Sequence, residues 1–164
     1  MSAAAVLLVD DLDFRVLANF CSRFGVTLQK TADAEPIEGS FWGAPEAGIV
    51  GTCLYVRNDT PVHSLLHELG HIICATAERR GSLHTNAGSD DAEEAAVCYL
   101  QILLADSVAD IGRARIMADM DAWGYSFPEG ATSLWFANAG ESLAWLADNR
   151  ITDSGGGLCF RLRS

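Results

Sequence analysis

Short apolar runs and longer stretches at helical spacing succeed one another along this chain. The opening segment Ala4 to Val9 is apolar and reads as a strand or as the lead-in to a helix. From about Leu12 to Phe24 apolar residues recur at helical spacing (Phe14, Leu17, Phe20, Cys21, Phe24), with Gly25 as a stop. Val26 to Lys30 fits a short strand, and a loop rich in Ala, Glu, Pro and Gly follows from about Thr31 to Glu46. Ala47 to Arg57 is the best strand, broken by Gly51 at a turn or bulge. Thr60 as N-cap and Pro61 at the first helical position open a helix running to about Ala77 or Glu78, closed by Arg79, Arg80 and Gly81. A second long helix spans about Asp90 to Val108 and a third Asp110 to Trp123, stopped by Gly124. One or two more helices lie between Thr132 and Asn149, and a short terminal strand covers Leu158 to Leu162. The pattern predicts an α+β fold, rich in helix, with a small sheet whose edge strand precedes the helix after Pro61.

At 164 residues the chain fits one domain, 1–164, with a real core. The net charge of -11, with Lys30 the only lysine, argues against a nucleic-acid-binding surface and against adsorption to anionic membranes. The apolar stretch Ala95 to Ala105 is about half the length of a bilayer-spanning helix and contains Gln101. The run Ala3 to Val9 lacks a basic leader and meets Asp10 and Asp11 at once, unlike a secretory signal. Five widely spaced cysteines with no C-x-x-C pair suit reduced thiols, so a cytoplasmic location is expected.

The residues most informative about chemistry are His67-Glu68-Leu69-Gly70-His71, an H-E-x-x-H motif. Two histidines at i and i+4 of a helix lie one above the other, so both imidazoles can reach one ion. A glutamate one residue after the first His projects beside that ion, where it can take a proton from a polarised water without being a ligand. Leu65, Leu66, Ile72, Ile73 and Cys74 would bury the helix and hold the rings still. Without a metal, the same residues would make a half-buried helix with two satisfied histidines and a surface glutamate.

Zinc needs a third protein ligand. Position 77 is alanine, which excludes a third His six residues after His71 and leaves Glu93, Glu94, His84 and the Asp90/Asp91 pair. Glu93 shares its helical face with Ala96, Val97, Leu100 and Leu104, the expected buried stripe, whereas Glu94 points about 100° away, beside Gln101. A carboxylate on a buried apolar face costs several kcal/mol (~) unless paired or metal-bound, which selects Glu93 as third ligand. His84 is a loop alternative; Asp90-x-x-Glu93 also spells a capping box, but Asp91-x-x-Glu94 fits that box equally well and leaves Glu93 free. His63 stands about 12 Å along the helix axis from His71, too far for one ion to take all three rings. It suits a cleft-lining or a surface role.

His67-Glu68-Leu69-Gly70-His71, followed by Glu93-Glu94-Ala95-Ala96-Val97-Cys98-Tyr99-Leu100-Gln101-Ile102-Leu103-Leu104, resembles the ImmA/IrrE-type zinc metallopeptidases. These carry a metal-binding helix and then a helix of the form E-x-x-A-x-x-F/Y-A-x-x-L-L, and Ser64 matches the hydroxyl residue they place three before the first His. The likeness covers roughly Ala47 to Leu104; Ala105-Asp106 replaces the usual Met-Pro, and no helix-turn-helix segment is evident. It implies a zincin-like (gluzincin) fold, Zn²⁺ held by His67, His71 and Glu93, and Glu68 as general base on a peptide or protein substrate, which in that family is a repressor.

On this reading the Ala47 to Arg57 strand pairs an extended peptide by strand addition, and His84, Tyr99, Tyr125 and His63 are able donors for the tetrahedral oxyanion. The rival is a non-catalytic zinc protein, with Cys74, three residues after His71, as a closing fourth ligand, or a module that presents the site to a protein partner. A receiver-domain reading of Val6 to Asp11 and Asp59 founders on the absence of a late lysine. Trp123, Trp135, Trp145, Phe127 and Phe136 fit a core better than a binding platform.

Overall fold

The computed structural model describes residues 5–108 and 110–164. Ala3 and Ala4 of the expected opening segment lie outside them. The described part of that segment forms a single bridge, Leu8 with Pro61, before a 3₁₀ turn at Val9–Asp11. Among the described residues there are seven α-helices and one three-stranded mixed sheet.

Helix α1 (Phe14–Ser22) starts where Asp13 accepts a hydrogen bond from the Arg15 amide, and leads into β1 (Thr27–Lys30). The expected strand from 47 to 57 is a hairpin, β2 (Gly48–Val50) and β3 (Cys53–Val56), turned at Gly51 with φ +60°. Strand β3 runs antiparallel to β2 and parallel to β1, giving the order β1-β3-β2. This corrects the expected edge: the strand directly before the motif helix is central. The outward groups of β2 are also taken. The Ile49 N–H donates to the Gly39 carbonyl at 3.2 Å and its carbonyl accepts from the Thr85 amide at 3.0 Å, so no peptide can pair there.

The motif helix α2 (Val62–Cys74) is shorter than the pattern suggests. Pro61 is its N-cap residue, and Thr60 instead accepts from the Arg57 amide at 2.8 Å. It stops at Cys74 because Thr76 caps a new short helix, α3 (Ala77–Arg80), by accepting from the Arg79 amide. From α3 the buried Arg80 guanidinium reaches back to the Ile72 and Ala75 carbonyls at 2.8 and 2.6 Å, satisfying the exposed end of α2.

Helix α4 (Asp91–Asp106), capped by Asp90, is buried without interruption from Ala96 to Ala105. It packs against α2 on one side and against α5 (Arg113–Trp123) and α7 (Gly140–Asp148) on others, with α6 (Thr132–Asn138) joining the last two. Leu65, Leu66, Leu69, Ile72 and Ile73 from α2 and Val97, Leu100 and Leu104 from α4 form the centre of the core. At Gly70 the two helices nearly touch: a Cβ there would sit 3.0 Å from Val97 Cγ1.

No strand forms at 158–162. That segment makes one bridge, Thr152 with Leu158, and then runs along the protein until the Arg163 amide donates to the Ile73 carbonyl at 2.9 Å. No helix among the described residues is long and apolar enough to cross a membrane, and the five cysteines are free thiols.

Candidate metal centre

Helix α2 presents His67 and His71 on one face, as their spacing requires, with ring centroids 4.7 Å apart. Helix α4 crosses that face and delivers the carboxylate of Glu94. His67 Nε2 lies 3.0 Å from Glu94 Oε1, His71 Nε2 lies 3.1 Å from Glu94 Oε2, and the two Nε2 atoms are 3.1 Å apart. Cys98, one turn beyond Glu94, adds a sulfur to the group: donor atoms of His67, Glu94 and Cys98 all lie within 4.8 Å of one another.

Glu93 is not part of this group, which corrects the choice made from helical geometry. Its side chain is buried, but both carboxylate oxygens face cations: Arg79 Nη2 binds Oε2, and Arg163 Nη1 lies 3.1 Å from Oε1. The premise that a buried carboxylate needs a partner holds. The partners are guanidiniums from α3 and from the last residues of the chain. The assumed single buried stripe is also absent, because α4 is enclosed on nearly every side, and Glu94, Cys98 and Gln101 form the face turned to the histidines.

Gln101 orients the first imidazole. Its Oε1 accepts from His67 Nδ1–H at 3.0 Å, while its Nε2 donates to the His63 carbonyl at 2.7 Å and to the Tyr125 hydroxyl at 3.2 Å. With Nδ1 committed to Gln101, the Nε2 atom of His67 is turned toward Glu94 and His71. Donors this close together must share a proton or a metal cation. Burial works against charging His67, but the Tyr125 oxygen, Cys98 and Glu94 outweigh it and hold its pKa well above the ordinary imidazole range. Burial likewise opposes ionisation of Glu94, yet bonds to His67 and His71 hold its carboxyl well below the usual range.

The donor set and spacing fit a divalent first-row ion. Tetrahedral bonds of about 2.0–2.1 Å place neighbouring donors about 3.3 Å apart, within a few tenths of an ångström of the separations found. These residues can therefore hold a metal ion.

The site opens into a cleft of about 860 Å³, whose walls include Trp42, Glu46, Trp123, Tyr125, Phe127 and Trp135 as well as His67, Glu68 and Glu94. Trp123 Nε1–H donates to Glu46 Oε1 at 2.8 Å and ties the end of α5 to the loop before β2. Phe127 stacks on Trp135 at 4.4 Å, so several aromatics expected in the core are cleft walls. Comparison with family models, curated proteins and solved structures finds no match for this chain.

Glu68 borders the cleft, and burial raises its carboxyl pKa although the His67 and His71 rings pull the other way. Of the four candidate oxyanion donors, only Tyr125 borders the cleft. His84 is exposed on a loop and Tyr99 stacks on Phe136 at 4.4 Å. His63 is fully buried behind Tyr125, its Nδ1 3.2 Å from the Tyr125 hydroxyl, so it lines neither cleft nor surface. Burial pushes the Tyr125 phenol up to about 12, which keeps it a donor at neutral pH, and pushes His63 down to about 4, which keeps that ring neutral. Cys74 is buried and its carbonyl accepts from Arg163 at 3.1 Å, while the cysteine beside the imidazoles is Cys98. Ser64 Oγ accepts from the Ala47 amide at 3.0 Å and anchors the start of β2 to α2.

Proposed function

We propose that this chain is a zinc-dependent peptidase in which His67, His71 and Glu94 hold the ion and Glu68 is the general base. The observation that carries the reading is the convergence of two imidazoles from α2 and the Glu94 carboxylate from α4, each Nε2 within 3.0–3.1 Å of the other and of one carboxylate oxygen, beside an aromatic cleft. When bound, zinc would lower the pKa of a water toward neutrality and polarise the scissile carbonyl.

The chain's own groups supply the rest. Glu68 accepts the proton of the attacking water and returns it to the departing amine, a role suited to a carboxylate whose pKa burial has raised. Tyr125 donates its hydroxyl proton to the oxygen that gains charge. Gln101 holds the His67 ring and Tyr125 in register from behind. The walls of Trp123, Phe127 and Trp135 exclude water and receive an apolar side chain of the substrate. A peptide lies in the cleft, since the sheet edge at β2 is already paired.

The test is Glu68→Gln. Zinc content is expected to be unchanged while cleavage of a peptide library falls about 10²- to 10⁴-fold. Equal cleavage by both proteins, or none by the zinc-loaded wild type on any peptide, overturns the reading.

A further inference from the structure

We infer that Cys98 is a fourth donor, so that the ion rests in a closed His67-His71-Glu94-Cys98 shell until substrate or water displaces the thiolate. This rests on the metal-binding reading above and goes beyond it, since that reading leaves the fourth position to water.

Cys98 follows Glu94 by one helical turn on the same face of α4, and its sulfur is grouped with the His67 and Glu94 donors. The residue is 8 % exposed and borders the cleft. With sulfur at about 2.3 Å and nitrogen at about 2.0–2.1 Å from zinc, neighbouring donors in a tetrahedron stand about 3.6 Å apart. The sulfur lies within 4.8 Å of the His67 and Glu94 donors, so a shift of at most about 1.2 Å reaches that spacing. Zinc favours thiolate, and a shell completed by a fourth protein ligand is the structural type, whereas an open position is the catalytic type. Cys98 allows one site to take both forms. On closing, the S–H bond breaks, its proton leaves to solvent and a sulfur lone pair forms the metal–sulfur bond. On opening, that bond breaks and the sulfur takes up a proton.

Two measurements on the full chain test this. The Co²⁺-loaded protein is expected to show thiolate-to-cobalt charge-transfer absorption in the near ultraviolet, lost in Cys98→Ala and kept in Cys159→Ala. X-ray absorption on the zinc-loaded wild type, which needs no variant, is expected to show one sulfur at about 2.3 Å beside lighter ligands at about 2.0–2.2 Å. Zinc affinity of Cys98→Ala is expected to drop at least about tenfold, the lower bound seen even for outer-shell partners. Bound metal with nitrogen and oxygen neighbours only overturns the fourth donor and leaves the peptidase reading standing. Charge transfer that persists in Cys98→Ala does the same. A wild type that binds neither Co²⁺ nor Zn²⁺ overturns both.

Discussion

Glu93 and Glu94 are adjacent in sequence, and the structure gives them different partners that a pair of substitutions separates. Glu93→Gln removes the charge from a carboxylate whose side chain is only 4 % exposed and which neutralises two guanidiniums. Breaking a buried pair by deleting one partner costs about 3–5 kcal/mol. Arg79 and Arg163 are 31 % and 25 % exposed, so solvent takes up part of the loss and the lower end, about 3 kcal/mol, applies. For a domain of this size each kcal/mol moves the melting temperature by about 2–4 °C, so Glu93→Gln should melt about 6–12 °C lower. Its zinc content after dialysis should match the wild type. Glu94→Ala should lose bound zinc, and because its 45 % exposed side chain also bonds His67 and His71, the chelator-treated variant should melt lower too, though by less than Glu93→Gln. Melting curves with and without chelator, with metal analysis of the same samples, decide the matter. A Glu93→Gln protein that melts normally but binds no zinc would refute the assignment and restore Glu93 as the ligand.

Three further outcomes follow from the same site. Tyr125→Phe should lower kcat about 10²- to 10³-fold with zinc content unchanged, as measured by steady-state peptide hydrolysis. Gln101→Ala should weaken zinc about 10- to 100-fold in a chelator competition, because His67 loses the acceptor that fixes its tautomer. Burial lowers the folded-state pKa of His63 to about 4, helped by His67 and opposed by Asp119, against 6.5 in the unfolded chain. The unfolded state therefore binds the proton first, and the stabilisation, full above pH 6.5, is lost as pH falls toward 4. The loss is about 3 kcal/mol in denaturant titrations of the metal-free protein, and His63→Gln should flatten it over that range.

The parts of the fold that depend on local chemistry were legible in the chain. The i, i+4 histidines, the Gly124 stop and the central helices follow from spacing and turn preferences, and the structure has them at nearly the expected positions. What the sequence hid depended on partners far along it. Arg163 lies 70 residues from Glu93, and without that pairing a buried carboxylate looked like a ligand. The enclosure of α4 on nearly all sides erased the stripe that periodicity assumed, so Gln101 looked peripheral although it is completely buried behind His67. Cys98 was recognisable only as a small apolar residue, yet its spacing of one turn from Glu94 was the available clue. The β2 edge was closed by backbone from Gly39 and Thr85, contacts that carry no side-chain signature.

The close approach at Gly70 sets how near α2 can lie to α4. With Val97 Cγ1 at 3.0 Å from any added methyl group, Gly70→Ala would press on that side chain and require it to give by a few tenths of an ångström. On the proposed reading, one missing side chain beside His71 keeps the imidazoles within reach of the Glu94 carboxylate.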